Sequence, residues 1–245
     1  TFAHIPLIHG PDGAKLSKRH GALGVDSYRD EMGFLPEAVN NYLLRLGWGH
    51  GDDEVISQEQ AIEWFDITDV GKGAARFDFA KLTNLNGIYM RQADDKRLVD
   101  EISQRVATLI GSDAIDAAQK EILINGMSGL KERAKTLIEL ACSSAFYVTD
   151  GVTSFNEKAQ SLIDSAPEGL FAELANSLEA LDSWTEENVD ASVRETAEKL
   201  DLKLGKVAQP LRAVLTGSNS SPGIFDVMIV LGKEQTLKRI RHFGA

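Results

Sequence analysis

The sequence predicts a mainly α protein, and three observations carry that expectation. From residue 25 onward the apolar residues recur at helical spacing. No strand-like alternation longer than a few residues appears in the same stretch. Capping residues and prolines stand at the heads of several of those apolar stripes. Only Ile5–Ile8 reads as a strand, short and followed by the Gly10–Gly13 loop.

Pro36 opens a stretch in which Val39, Leu43 and Leu46 fall at i, i+4 and i+7, with Gly47 as its stop. Ser57 with Gln60 three residues on is a capping-box signature ahead of Ile62, Trp64 and Phe65. Leu98, Ile102, Val106 and Leu109 form the next stripe, ending at Gly111, and Leu130, Ala134, Leu137, Ile138 and Ala141 form a longer one. Pro167 reads as the first position of a helix carrying Leu170, Leu174, Leu178 and Leu181. Thr185 is placed to cap a helix whose inner face is Val189, Val193, Ala197 and Leu200, with Trp184 as a hydrophobic staple before it. Pro210 interrupts 207–215, which predicts a kink or a helix start. The run 218–223 is a turn, and Pro222 opens a final pair of short helices through Phe243. Breaker and polar residues put boundaries near 92–95 and 165–167.

The composition is that of an ordinary globular chain: 245 residues, 43% hydrophobic and 26% charged, enough for one large or two modest domains. No stretch approaches the roughly 18 apolar residues a membrane span requires, and no signal pattern opens the chain. The lone Cys142 excludes an internal disulfide and fits a reducing compartment, so a cytoplasmic address is expected; beside Leu140 and Ala141 it reads as a small buried residue. Thr1 rather than Met begins a stretch that reads as the middle of something, so the chain is taken as a fragment. The net charge of −11 hides an asymmetry, because residues 201–245 hold seven Lys or Arg against three Asp or Glu. That tail suits a polyanionic partner and equally a solvated helical face. Trp48, Trp64, Phe65, Phe77 and Phe79 read as core rather than as base-stacking platforms. With one Cys and no clustered ligands beside His4 and His9, no metal site is expected.

The most informative dozen residues are Gly10-Pro11-Asp12-Gly13-Ala14-Lys15-Leu16-Ser17-Lys18-Arg19-His20-Gly21. Two glycines flank three cations within five residues, and Ser17 adds a hydroxyl. Such a loop can close on a triphosphate and meet the charge that develops as pyrophosphate leaves, which raises rate rather than affinity. Taken alone, the run also fits a solvated basic turn.

Its surroundings decide between the two. The segment resembles the KMSKS signature of class I aminoacyl-tRNA synthetases, in the KLSKR form of the glutamyl-tRNA synthetase family. The flanking FAHIPLI, PDG and YRDEMGFLPEAVNNYLLRLGW are similar to that family, as are Phe77-Asp78, Lys81-Leu82, Leu85-Asn86-Gly87 and Tyr89. Residues 204–212 and Ser221-Pro222-Gly223-Ile224-Phe225 resemble its anticodon-binding domain. Asn84 departs from the pattern, standing where many members have Trp. The resemblance implies a remnant of the catalytic domain over 1–21, a helical stem-contact region over 22–92, and an all-helical anticodon-binding domain in two subdomains, 93–166 and 167–245. It makes Lys15 and Lys18 the catalytic cations, with Lys18 on the ATP phosphates and Leu16, Ser17 and Arg19 completing the ATP-binding loop. Leu16 would seat that loop. Lys206, Arg212, Lys233, Lys238, Arg239 and Arg241 become candidates for tRNA contact.

The implied whole enzyme is a monomer that joins glutamate to ATP with magnesium and passes the glutamyl group to the end of glutamate tRNA. Glutamine tRNA stays open as a second substrate. The first nucleotide-binding signature and the glutamate pocket are absent from this sequence, so the fragment by itself is expected to bind no cofactor and to catalyse nothing. A paralogue that glutamylates a modified tRNA base resembles the catalytic half alone, and the matches at 204–232 speak against it. The alternative from another class is a helical protein-binding scaffold with a coincidental basic turn.

Overall fold

The computed structural model of the chain describes residues 2, 4–16 and 24–244. Among the described residues it contains twelve α-helices and two strands of two residues each, the mainly helical architecture that the periodicity predicts. The chain divides into two compact units, one of residues 1–94 and 134–140, the other of residues 95–133 and 141–245.

In the first unit β1 (Ile8–His9) pairs in parallel with β2 (Ala75–Arg76), Ile8 opposite Ala75 and His9 opposite Arg76. The strand is shorter than Ile5–Ile8 because the partner runs for two residues only; Ile5 and Leu7 stay exposed. Four helices follow: α1 (Val25–Asp30), α2 (Pro36–Arg45), α3 (Gln58–Trp64) and α4 (Phe79–Gln92). Pro36 starts α2, where its fixed φ and missing N–H cost nothing. Ser57 and Gln60 form the capping box of α3 as expected, and Asp78 caps α4 by accepting from the Lys81 amide at 3.1 Å. The core is aromatic: Tyr28, Phe34, Tyr42 and Phe77 pack with Val39, Leu82 and Leu85. Trp48 is buried as well, but Ile62 and Phe65 on and beyond α3 are exposed, as is Leu43 on α2. Periodicity identifies an apolar stripe without showing whether anything covers it.

Residues 134–140 belong to this unit through specific bonds. Asn86 is fully buried; its Oδ1 accepts the Leu35 amide at 2.8 Å and its Nδ2 donates to the Lys135 carbonyl at 2.6 Å. The Leu137 amide donates to the Gly33 carbonyl at 2.8 Å. Gly33 has φ +68°, and a Cβ there would sit 2.9 Å from the Ile138 nitrogen. These bonds explain why the stripe 130–141 is two helices rather than one.

The second unit is all helical: α5 (Asp95–Leu109), α6 (Ala117–Lys131), the end of α7 (Leu137–Ser144), α8 (Glu157–Asp164), α9 (Leu170–Glu179), α10 (Glu186–Lys199), α11 (Leu204–Thr216) and α12 (Ile224–Arg241). Leu98, Ile102, Leu123, Met127, Leu170, Leu174 and Leu178 are wholly shielded from solvent. Thr185 caps α10 by accepting from the Asn188 amide, and Val189, Val193 and Ala197 face inward. Trp184 is anchored by its indole N–H, which donates to the Met228 carbonyl at 3.0 Å. Three expectations change. Pro167 lies in the turn before α9, which starts three residues later behind Gly169 at φ +77°. Pro210 sits inside α11, while the break falls in α12 at Gly232 (φ 75°, ψ 168°), giving the expected final pair of helical segments. Cys142 is exposed, on the outward side of α7. No helix among the described residues is long and apolar enough to cross a membrane.

Replacing Asn86 with Ala leaves the Leu35 amide and the Lys135 carbonyl without their partner. A loss of about 2–4 kcal/mol in unfolding free energy is expected, measured by urea denaturation.

Candidate functional site

The described start of the basic segment, residues 10–16, is fixed by backbone hydrogen bonds. Phe77 donates its amide to the His9 carbonyl at 2.8 Å, and the Leu16 amide donates to Ile8 at 2.9 Å. Gly10 donates to the Ala14 carbonyl at 2.8 Å, and the Asp12 carboxylate accepts the Ala14 amide at 3.0 Å, closing a tight hairpin. Gly13 turns it with φ +79°, a conformation that Cβ-bearing residues disfavour. Leu16 packs against the Phe77 cluster and seats the loop. Lys15 is exposed at the bridge with His9. Ser17, Lys18 and Arg19, with His20, lie outside the described residues.

Arg76 is a cation that the motif did not contain. It ends β2, and a Cβ on Gly13 would stand 3.3 Å from its Nη2, so the guanidinium lies along the hairpin. Its only sequence signal is position, immediately before Phe77-Asp78. Among the described residues no group of three His, Cys, Asp or Glu is placed to hold a metal.

The six C-terminal cations separate by burial. Arg239 is 3% exposed; its guanidinium donates to the carbonyls of Leu215 at 2.6 Å, Phe146 at 2.8 Å and Thr149 at 2.8 Å. Burial pulls its pKa down to about 10, so it stays charged at neutral pH while its donors face inward. Lys233 donates to the Glu179 and Leu181 carbonyls at 2.8 and 2.7 Å, which caps the end of α9. These two are structural in the free protein. Lys238 pairs with Asp150 at 2.6 Å and Arg241 pairs with Glu179, both on the surface, where such pairs contribute little and exchange readily. Lys206 is exposed on the first turn of α11.

Arg212 is the distinctive one. It is half-buried, its Nε donates to the Ser221 hydroxyl at 3.0 Å, and its pKa is lowered by burial and by the positive charge of Arg133. Arg133, absent from the candidates drawn from sequence, donates to the Ser220 hydroxyl at 3.3 Å. Neither guanidinium is paired with a carboxylate among the described residues. Both stand beside the turn 218–223, which packs closely on α6 because Gly129 leaves room: a Cβ there would be 2.9 Å from the Pro222 ring. Two like charges and two hydroxyls held on a fixed turn can receive a phosphate or the acceptor edge of an unstacked base.

Two family models match the chain, one after the other. Residues 1–84 match the family described as tRNA synthetases class I (E and Q), catalytic domain, and residues 90–243 match the anticodon binding domain. Glutamate–tRNA ligase 1 of Sphingopyxis alaskensis is 57% identical over 250 residues, covering 100% of this chain and 51% of the relative. Glutamate–tRNA ligase 2 of Zymomonas mobilis is 54% identical over 239 residues, covering 98% and 50%. The crystal structure of a glutamate tRNA ligase from Elizabethkingia meningosepticum, in complex with its amino acid, superimposes with a TM-score of 0.82 at 31% identity over 99% of this chain and 51% of that one. The chain spans about half the length of the curated relatives it matches.

Lys238→Met removes the principal cause that holds the Asp150 carboxyl below its ordinary value. The Asp150 titration midpoint, followed by carboxyl NMR, is expected to rise toward the ordinary carboxylate range in the variant; an unchanged midpoint means the lysine is elsewhere.

Proposed function

We propose, from the premise that this chain belongs to the class I glutamate–tRNA ligases, that it serves as the tRNA-gripping half of such an enzyme and carries its ATP-closing loop. The whole enzyme would activate glutamate with ATP, release pyrophosphate, and transfer the glutamyl group to the 3′ end of glutamate tRNA in the cytoplasm. Residues 1–21 would contribute the loop, 22–92 the stem contact, and 93–166 with 167–245 the anticodon reading. The chain is proposed to be inactive by itself.

The observation that carries the reading is the pair Arg133–Arg212, two guanidiniums brought together at a turn without a carboxylate between them. A protein-binding scaffold has no need of that repulsion, whereas a polyanion relieves it. Support at the other end comes from the seated root of the loop, with Lys15 exposed and Arg76 beside it. Lys18, the second lysine of the motif, would meet the phosphates as a compact point charge, with Ser17 and Arg19 beside it. Magnesium would arrive on ATP's phosphates, which fits a loop of cations rather than carboxylates. On the RNA side Lys206, Lys238 and Arg241 would add backbone contacts, the last two by exchanging their surface partners.

Titration of the chain with glutamate tRNA at increasing salt is expected to give binding whose logarithm falls linearly with the logarithm of salt. Arg133→Ala and Arg212→Ala should each weaken it and flatten that slope by about one unit where a phosphate is the contact. Equal binding of glutamate tRNA and bulk tRNA favours the scaffold reading. In the complete enzyme, Lys18→Ala should slow adenylate formation far more than it weakens tRNA binding; equal losses in both would refute the role given to Lys18.

A further inference from the structure

The two strands and the bridge residue at the start of the basic segment sort their side chains by face. His9 stands opposite Arg76 in the parallel ladder and opposite Lys15 across the hairpin. Residues opposite one another in a ladder point to the same side, and their neighbours along each strand point to the other. Ile8, Leu16 and Phe77 accordingly face the aromatic core, Phe77 buried within it and the other two packed against it. Lys15, His9 and Arg76 form a row on the opposite face, where Lys15 and Arg76 are exposed and His9 is half-buried.

Neighbouring strands lie about 5 Å apart, so the row spans about 10 Å. The Arg76 guanidinium reaches the hairpin itself, since a Cβ on Gly13 would stand 3.3 Å from its Nη2. Among the described residues the ion pairs of this unit join Arg29 to Asp30, His50 to Asp53 and Lys81 to Glu54, and none takes a member of the row. Asp12, in the turn of the hairpin, accepts the Ala14 amide at 3.0 Å. The row therefore presents two cations and an imidazole, which has a ring N–H to donate in either protonation state. Its backbone is held from behind by the core, so these donors are aimed while they remain open to solvent.

Such a row suits a chain of phosphates. A guanidinium meets a phosphate bidentately through its planar fork, whereas an ammonium meets it as a point charge. An RNA backbone offers one charge per phosphodiester, while the successive phosphates of a nucleotide place several charges within the span of the row. Lys15 also stands three residues before Lys18, the residue assigned to the ATP phosphates. We propose, resting on the reading of this chain as part of a glutamate–tRNA ligase, that Arg76 and His9 are further ATP-binding residues, which with Lys15 hold the nucleotide's phosphate chain.

The test uses the complete enzyme, with adenylate formation followed at saturating tRNA. Arg76→Gln is expected to lower kcat/KM for ATP about tenfold or more, mainly through KM, while the tRNA Kd changes by less than about twofold. Arg76→Lys keeps the charge and loses the fork, so it should recover part of the loss, and His9→Ala should cost several-fold in the same direction. Arg76 is exposed, and an unchanged thermal midpoint is expected in its variants. Equal losses for ATP and for tRNA in Arg76→Gln would give the row to the RNA backbone and overturn the assignment. Unchanged use of ATP in Arg76→Gln would overturn it as well; if Lys18→Ala is impaired in the same assay, the row alone is refuted and the ligase reading stands.

Discussion

The pairing of two two-residue strands, far apart in sequence, fixes the root from which the basic loop departs. A two-residue ladder has little stability of its own. It persists because Phe77, next after β2, is buried between Tyr28 and Tyr42, with ring centroids 6.0 and 5.0 Å away, and brings its amide to the His9 carbonyl. Leu16 closes the other side by packing on the same cluster. The aromatic core thus acts as the anchor and the strands as its tether. A loop that closes on a charged substrate needs a stationary root more than a stationary tip, since its cations must be aimed without being buried. Gly13 and Arg76 express the same division: the glycine turns the hairpin tightly, and the guanidinium follows its edge.

Much of the architecture was legible in the sequence. Caps at Ser57 and Thr185, the proline at the head of α2, and the stripes of α5 and α10 are local signals, and local signals survive folding. What failed was consistently nonlocal. The stripe 130–141 looked like one helix because nothing near it in sequence reveals that Leu137 gives its amide to Gly33 and Lys135 its carbonyl to Asn86. Ile62, Phe65 and Leu43 match a buried pattern but remain exposed, Phe65 even with its ring 5.8 Å from that of Trp48. Cys142 fails for the same reason, since Leu140 and Ala141 before it are buried while it faces out. Pro210 and Gly232 show the limit for breakers: the glycine, with its free backbone, took the break that proline chemistry alone assigns to Pro210.

The candidate site was legible as chemistry but not as geometry. The sequence identifies cations, yet it does not distinguish Lys206 in solvent from Arg239 beneath three carbonyls. Arg76 and Arg133 escaped notice because each becomes meaningful only beside a partner that the fold supplies: the hairpin for Arg76, and Arg212 with the turn 218–223 for Arg133. A resemblance concentrated in motifs finds residues inside those motifs, while the auxiliary charges around them need coordinates.

The overall charge of −11 would oppose a polyanionic partner, but screening reduces its weight. At physiological salt, exposed charges more than about 8 Å apart interact weakly, so the net charge of the chain says little about one local cluster of cations. What counts is the charge within that distance and the cost of presenting it. Exposed cations are solvated and must shed water on binding, whereas Arg212 has already surrendered part of its hydration in the folded state. Its proximity to Arg133 adds a repulsion that folding tolerates and that an incoming anion removes. The free protein therefore carries an unfavourable term that a bound anion would remove and a neutral ligand would leave in place.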